Sequence, residues 1–273
     1  MAADTLRLLA ASARMNVIYI LGTRQQAAVG TITDFIYHSG EFVAPLLVVS
    51  AFGHVGRWSL TQFAFMLGYA TTIAALLDVF EGAWGLSQNI SQGEIDHFLL
   101  QPHPLWRTLF TEKFSPIWNW PVLILGVVTL AYTTAVLRLP VSPAWLLLLV
   151  LNLLASVVVK TSYMYAWGSL AFWAPRGAAD ASQVAAQLAG EVTMPLDTLP
   201  RALRGVLVSA VPSGLFAWLP SRALLGLGTP VEAWFTPLAA AGLSALAVVL
   251  FRAGMRHYRQ TGSRRYAGIG QSR

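Results

Sequence analysis

The chain contains no cysteine, which excludes disulfides, thiolate zinc sites and iron–sulfur ligation. It is also poor in charge. Only 11% of its 273 residues are Asp, Glu, Lys or Arg, whereas a soluble domain carries roughly 25% to wet its surface. A GxxxxGKS/T phosphate loop is missing, so nothing in the sequence cradles nucleotide phosphates on backbone amides beside a lysine. HExxH and GxSxG are missing as well. His97 and His103 fall on no shared helix face and do not form a metal pair. The expectation is a chain with no catalytic residue, no metal and no cofactor of its own.

What is present is apolar. Hydrophobic residues make up 56% of the sequence, and the mean hydropathy is +0.58. A span needs about 20 mostly apolar residues, so the length allows roughly six spans with short connections. The formal net charge is +6. Its arginines lie at the ends of apolar segments rather than in one basic stripe, which fits membrane-flanking positions and not nucleic acid. The N-terminal stretch MAADTLRLLAASARMNVIYILG has no apolar core followed by a small-residue cleavage site and does not read as a signal peptide.

Along the chain, residues 4–26 carry Leu6, Leu9, Ala13, Val17 and Ile20 near helical spacing against Arg7, Arg14 and Arg24, the pattern of an interfacial helix. A short span is the competing reading. The expected spans cover 32–52, 60–84, 117–137, 144–173, 179–199 and 232–251. The section 200–229 is broken by Pro200, Pro212, Gly214, Pro220, Gly226 and Gly228, which suggests a re-entrant helical hairpin. A basic tail follows from 254 to 273. With the N-terminus inside, twelve Lys and Arg residues fall on the inner side and five on the outer, with Lys160 inside a span. Both termini are therefore expected in the cytoplasm, and the segment 88–113 with them. The fold class is an all-α integral membrane protein. It has six transmembrane helices, an N-terminal interfacial helix, a cytoplasmic coupling helix between spans two and three, and an outer re-entrant hairpin before span six. The whole chain, 1–273, is read as one transmembrane domain.

Charged groups inside spans are expensive and stand out: Asp34, Glu41, Asp78, Glu81 and Lys160. Asp78 and Glu81 share one helix face. They either face water or a partner helix near the inner interface, or line a cation-attracting vestibule. Lys160 must pair with a carboxylate or snorkel. In the segment GEIDHFLLQP (93–102), Gly93 admits the chain to a short helix, and Glu94 and Asp96 suit its positive end. Ile95, Phe98 and Leu99 form its apolar side, and Pro102 with Pro104 ends it.

That run, placed between spans two and three, resembles the signature of six-span ABC type-2 exporter permeases. Further similarities follow in order: AFW (171–173), MPLDTLPRALRGVL (194–207), VPSGLFAWLPSRALLG (211–226), GMRHY (254–258) and RRYAGIG (264–270). The resemblance implies a subunit without a nucleotide site, working with separate ABC ATPases that hold ATP and Mg²⁺, and with a second permease that is either the same chain or a related one. It also implies a bacterial inner-membrane location and an amphipathic or drug-like substrate. By the same resemblance, Gly93, Glu94, Ile95, Asp96, Phe98, Leu99 and Pro102 would meet the ATPase, and Pro195, Pro200, Pro212 and Pro220 would shape an outer gate. The rival reading is a membrane scaffold or assembly subunit that docks the same partner without transport.

Overall fold

Helix starts and stops written into the sequence set the architecture. The computed structural model describes residues 2–79, 85–101, 105–111, 114–115, 119–190 and 194–261. Helix α1 spans Ala2–Gly22, and α2 spans Arg24–Phe52. Helix α2 ends where Gly53 takes a left-handed conformation (φ 75°) and its N–H bonds back to the Val49 carbonyl. A two-residue ladder, His54–Val55 against Trp58–Ser59, then turns the chain. Ser59 and Gln62 cap each other's backbone in a capping box, and α3 runs Leu60–Asp78.

Three short helices follow: α4 (Leu86–Ser91), α5 (Ile95–Leu99) and α6 (Leu105–Thr111). Helix α7 (Trp120–Val136) opens with Pro121 in its first turn. Helix α8 (Pro143–Ser169) opens with Pro143 and with Ser142 accepting from the Trp145 N–H, and a 3₁₀ turn, Leu170–Phe172, prolongs it. Next come α9 (Pro175–Gly190), α10 (Arg201–Ser209), α11 (Trp218–Leu224) and α12 (Phe235–Thr261).

The side-chain distribution is that of a protein dissolved in lipid. Large apolar residues such as Ile36, Leu47, Val128, Leu147, Leu154, Leu238 and Val249 stand exposed along the long helices. Several polar side chains on those helices bond to their own backbone. Thr72 donates to the Gly68 carbonyl, Thr129 to Leu125 and Asn152 to Leu148, as expected where no water competes. Two pairs make the frame, α3 with α7 and α8 with α12. The α3–α7 pair closes on glycine: a Cβ on Gly126 would lie 2.5–2.9 Å from Thr72, backbone included, and one on Gly68 would lie 2.9 Å from Thr129. Buried Trp58, Phe63, Phe65, Tyr69, Leu196 and Trp218 make one core cluster, and Leu86, Ile95, Phe98, Leu109, Phe172 and Tyr258 a second.

Among the described residues the chain is all-α apart from the two-residue ladder and a bridge at Phe114. Four helical segments among the described residues are long and apolar enough to cross a membrane: Arg24–Phe52, Leu60–Asp78, Pro143–Phe172 and Pro230–Thr261. A fifth crossing is available if the bent pair Arg201–Ser209 and Pro212–Leu224, broken by 73°, counts as one; α7 is apolar but shorter. Boundaries differ from the sequence expectation in instructive places. Helix α2 begins eight residues before 32, because nothing between Arg24 and Thr31 breaks a helix. Helix α9 runs 175–190 rather than 179–199 and is not among the apolar candidates. Its Pro175 start and its small residues suit packing against α8 and α4. The stretch 254–261, expected as tail, continues α12 as helix.

Candidate coupling and gating sites

At the end of the bundle where α3, α8 and α12 finish, α5 is pinned from beneath. Gly93 takes φ 74°, which lets the Glu94 N–H reach the Asn89 carbonyl at 2.8 Å before the helix begins. Ile95 and Phe98 are buried in the second core cluster, so these two side chains anchor the helix to its own protein. The Tyr258 hydroxyl of α12 donates to Asp96 Oδ1 at 2.7 Å. Tyr258 in turn packs edge-on against Phe172, with ring centroids 5.8 Å apart, and Phe172 packs edge-on against Phe251 at 5.8 Å. Phe172 sits where only a glycine leaves room, at Gly254. The outward face of the segment is Glu94, His97, Leu99 and Leu100; Leu100 is 85% exposed. Pro102 lies outside the described residues.

A short way into the bundle, the charges of α2, α3 and α8 converge. His38 Nδ1 is 3.2 Å from Glu41 Oε2, and its Nε2 is 3.7 Å from Asp78 Oδ2. The Asn119 amide, at the start of α7, donates to the same Asp78 oxygen. Lys160 acts electrostatically on both Asp78 and Glu41, and its ammonium lies 5.7 Å from the Phe216 ring centroid. Asp78 and Lys160 therefore belong to one interhelical network that also holds His38, Glu41 and Asn119. Glu81 lies outside the described residues.

The opposite end is closed by a tighter knot. The four prolines punctuate it: Pro195 precedes the 3₁₀ turn Leu196–Thr198, Pro200 caps α10, Pro212 starts the turn Pro212–Leu215, and Pro220 sits in α11. The segment after the 73° break drives inward, burying Pro212–Ser221 among the spans, where Ser156 of α8 donates to the Leu215 carbonyl at 3.3 Å. Asp197 gathers the surrounding pieces. One carboxylate oxygen accepts the Trp58 indole N–H at 2.8 Å and the Trp218 indole N–H at 3.1 Å; the other accepts Arg222 Nη1 at 2.6 Å. Arg222 also pairs with Glu232 at 3.1 Å and lies over the Trp218 ring. Arg204 holds the backbone of the same turn, donating to the carbonyls of Leu196, Asp197 and Leu199.

The model of the ABC-2 family transporter protein matches residues 35–262. The chain belongs to the ABC-2 transporter family. Neither a curated protein nor a solved structure matches it. As an ABC-2 protein it is a multi-pass membrane permease component of an ABC transporter, a class that works with ABC ATPases. The match runs across both ends of this permease, from Phe35 on α2 to beyond Tyr258 on α12.

Sequence reasoning about this ABC-2 chain singled out α5, the hairpin prolines and Asp78 with Lys160, but not the Asp197 knot or the Tyr258–Asp96 bond. Asp197 did carry a signal: it is a rare carboxylate in an apolar run between two prolines. The spacing Thr229–x–x–Glu232 is also a legible capping box, and Glu232 does cap the Thr229 N–H at 3.2 Å.

Proposed function

We propose that this chain is the membrane-spanning subunit of an ATP-driven exporter in the bacterial inner membrane, paired with a second permease and docked to ABC ATPases by α5. ATP and Mg²⁺ bind on those ATPases. The observation that carries the reading is the reach of α12. It is one continuous helix with Tyr258, the partner of Asp96 beside the docking face, at one end. It is preceded directly by Glu232, the partner of Arg222 in the closing knot, at the other. The 26 residue steps from Glu232 to Tyr258 correspond to about 40 Å of helix, enough to cross a bilayer. A push on α5 is therefore delivered to the far end without an intervening hinge.

Six crossings are part of the same proposal, which the contacts at the two ends support. Trp58 and Asp197 meet at one end, while Phe172 and Tyr258 meet at the other. The chain from Phe172 to Asp197 must traverse the full thickness, and α9, about 24 Å long, is the element available to do it. Counting α2, α3, α7, α8, α9 and α12 leaves the broken 200–229 section as the re-entrant gate and both termini in the cytoplasm. Helix α1, with exposed Leu6, Met15, Ile18 and Leu21, suits the headgroup region. The burial of Ile95 and Phe98 narrows the docking face to Glu94, His97, Leu99 and Leu100, with Gly93 and Asp96 setting its angle. Broken backbone within a membrane is tolerated only under cover of protein or water, which suits an exit that opens between two discrete arrangements. The substrate passes between the two permeases as an amphipathic, drug-like molecule.

The test is affinity purification of the tagged chain in mild detergent, followed by an ATPase assay. An ATPase subunit should co-purify and be lost on Glu94→Lys with Leu100→Asp, while Asp180→Lys, exposed on α9, leaves it bound. Co-purification without any substrate-stimulated hydrolysis would instead favour the scaffold reading.

A further inference from the structure

Between α8 and α12, in the half of the bundle nearer Tyr258, lies a cavity of about 520 Å³. That volume is typical of small-molecule sites. Its walls come from one face of each helix, and Trp106 of α6 closes one side. Val158 and Val248 line the cavity and are both more than 40% exposed, and Leu154 and Val249 beside them continue the apolar outer surface. This side of the cavity thus faces the hydrocarbon, not water.

Polar groups in the cavity are few, and they are arranged unequally. Ser162 and Ser244 bond each other at 2.9 Å, so this hydroxyl pair is already satisfied. Arg252 closes the end of the cavity and is exposed. No carboxylate lines the cavity, and among the described residues Arg252 has no ion-pair partner. Arg256 and Arg259 follow one and two turns later on the same helix. From Ser244 to Arg252 the helix rises about 12 Å. The site is therefore an apolar slot on the lipid-facing side with one guanidinium, that of Arg252, among its described lining, and with the amphipathic ring of Trp106 in the same lining.

We propose that this slot binds an anionic amphiphile with a single apolar tail, taken laterally from the inner leaflet, with its tail between α8 and α12 and its acidic head on Arg252. A neutral ligand would forgo the charge-assisted bond that an acidic head makes to the guanidinium, and a cationic one would be repelled by three arginines. The assignment deepens the exporter reading by naming a substrate class. It rests on that reading only for the leaflet and for transport, and not for binding.

The experiment uses the full chain with its ATPase in phosphatidylcholine nanodiscs, photolabelled with a diazirine analogue of palmitic acid. Adducts should map to 157–165 and 244–252, and unlabelled palmitate should compete at least fivefold better than hexadecanol. Ala247→Trp, which fills the slot, should cut labelling at least fivefold, while Val249→Trp on the outer surface should not. Arg252→Gln should bring palmitate competition down to the level of the alcohol. The proposal is overturned by adducts spread evenly over the lipid-facing surface, or by equal competition from the alcohol. It is also overturned by loss of all labelling in the assembled complex, as when a second permease covers this face. Displacement of the probe by phosphatidylglycerol nanodiscs would overturn the single-tail assignment. The competition needs no variant, so a misfolded Ala247→Trp does not rescue the idea. Mapped binding without any change in ATP hydrolysis would leave the slot standing and count against transport; stimulated hydrolysis with adducts elsewhere would do the reverse.

Discussion

Asp197 is held by three polar side chains, one from the turn before α3 and two from successive turns of α11. A carboxylate that accepts two indole N–H groups and a guanidinium is fully engaged, so removing its charge leaves Arg222 with Glu232 alone. Asp197→Asn can keep its amide oxygen for both tryptophans but loses the ion pair and turns an N–H₂ toward Arg222. It should lower stability by about 2 kcal/mol, read by thermal unfolding in detergent, and shift the fluorescence of Trp58 and Trp218. Because Asp197 and Arg222 touch directly, the double variant with Arg222→Gln should cost less than the two singles added together. Lys160 shows how far one residue can be read from sequence alone. A lysine in an apolar helix must find carboxylates or an aromatic face, and it has both, yet spacing along the chain could not say that Glu41 and Asp78 would come from two other helices. Asp197 was harder still, since its partners at 58, 218 and 222 are linked to it by folding and not by any period.

Helices α3 and α7 approach through glycines rather than through a greasy seam, the arrangement open to a protein whose solvent is as apolar as its core. At Gly126 the facing atoms include the Thr72 backbone, which cannot step aside. Gly126→Ala should therefore cost roughly 1–3 kcal/mol through forced separation of the pair. Gly242→Ala on α12, where a Cβ meets nothing within 4 Å, should be neutral or slightly stabilising by the same measurement. On the proposed reading α5 works as a lever, tied to the bundle by Ile95, Phe98 and Asp96. Tyr258→Phe removes the hydrogen bond to Asp96 and leaves the ring packed on Phe172. The ATPase should still co-purify, while substrate stimulation of its hydrolysis falls about threefold. Most of these elements were legible. The long apolar runs announced most of the helices, and the caps at Ser59 with Gln62, Ser142 with Pro143, and Gly53 fix where they begin and end. What sequence missed at this scale was the direction each short helix faces: an apolar stripe of Ile95, Phe98 and Leu99 looks the same whether it meets a partner or its own bundle.

At the scale of the molecule, the frame is a set of long helices whose two ends are tied by different chemistry. One end is tied by carboxylate, guanidinium and indole, and the other by a tyrosine hydroxyl and edge-on aromatics. Which end faces the cytoplasm was inferred from twelve basic residues against five, a count that says nothing about contacts. The contacts make the inference sharper, because Arg57 and Leu100 must then lie on opposite sides of the membrane, and both are exposed. The absence of cysteine offers a clean way to read this. Arg57→Cys, in the turn between α2 and α3, should react with a membrane-impermeant maleimide added to intact cells in which an outer membrane, if present, has been permeabilised. Leu100→Cys should react only after the inner membrane is opened. Both labelled from outside, or both protected, would break the arrangement in which Asp96 and Asp197 sit at opposite faces. The outward face of α5 could then no longer meet a cytoplasmic ATPase. The expected pattern would place the docking face and the Asp197 knot about one bilayer thickness apart, the separation over which α12 has to carry the stroke.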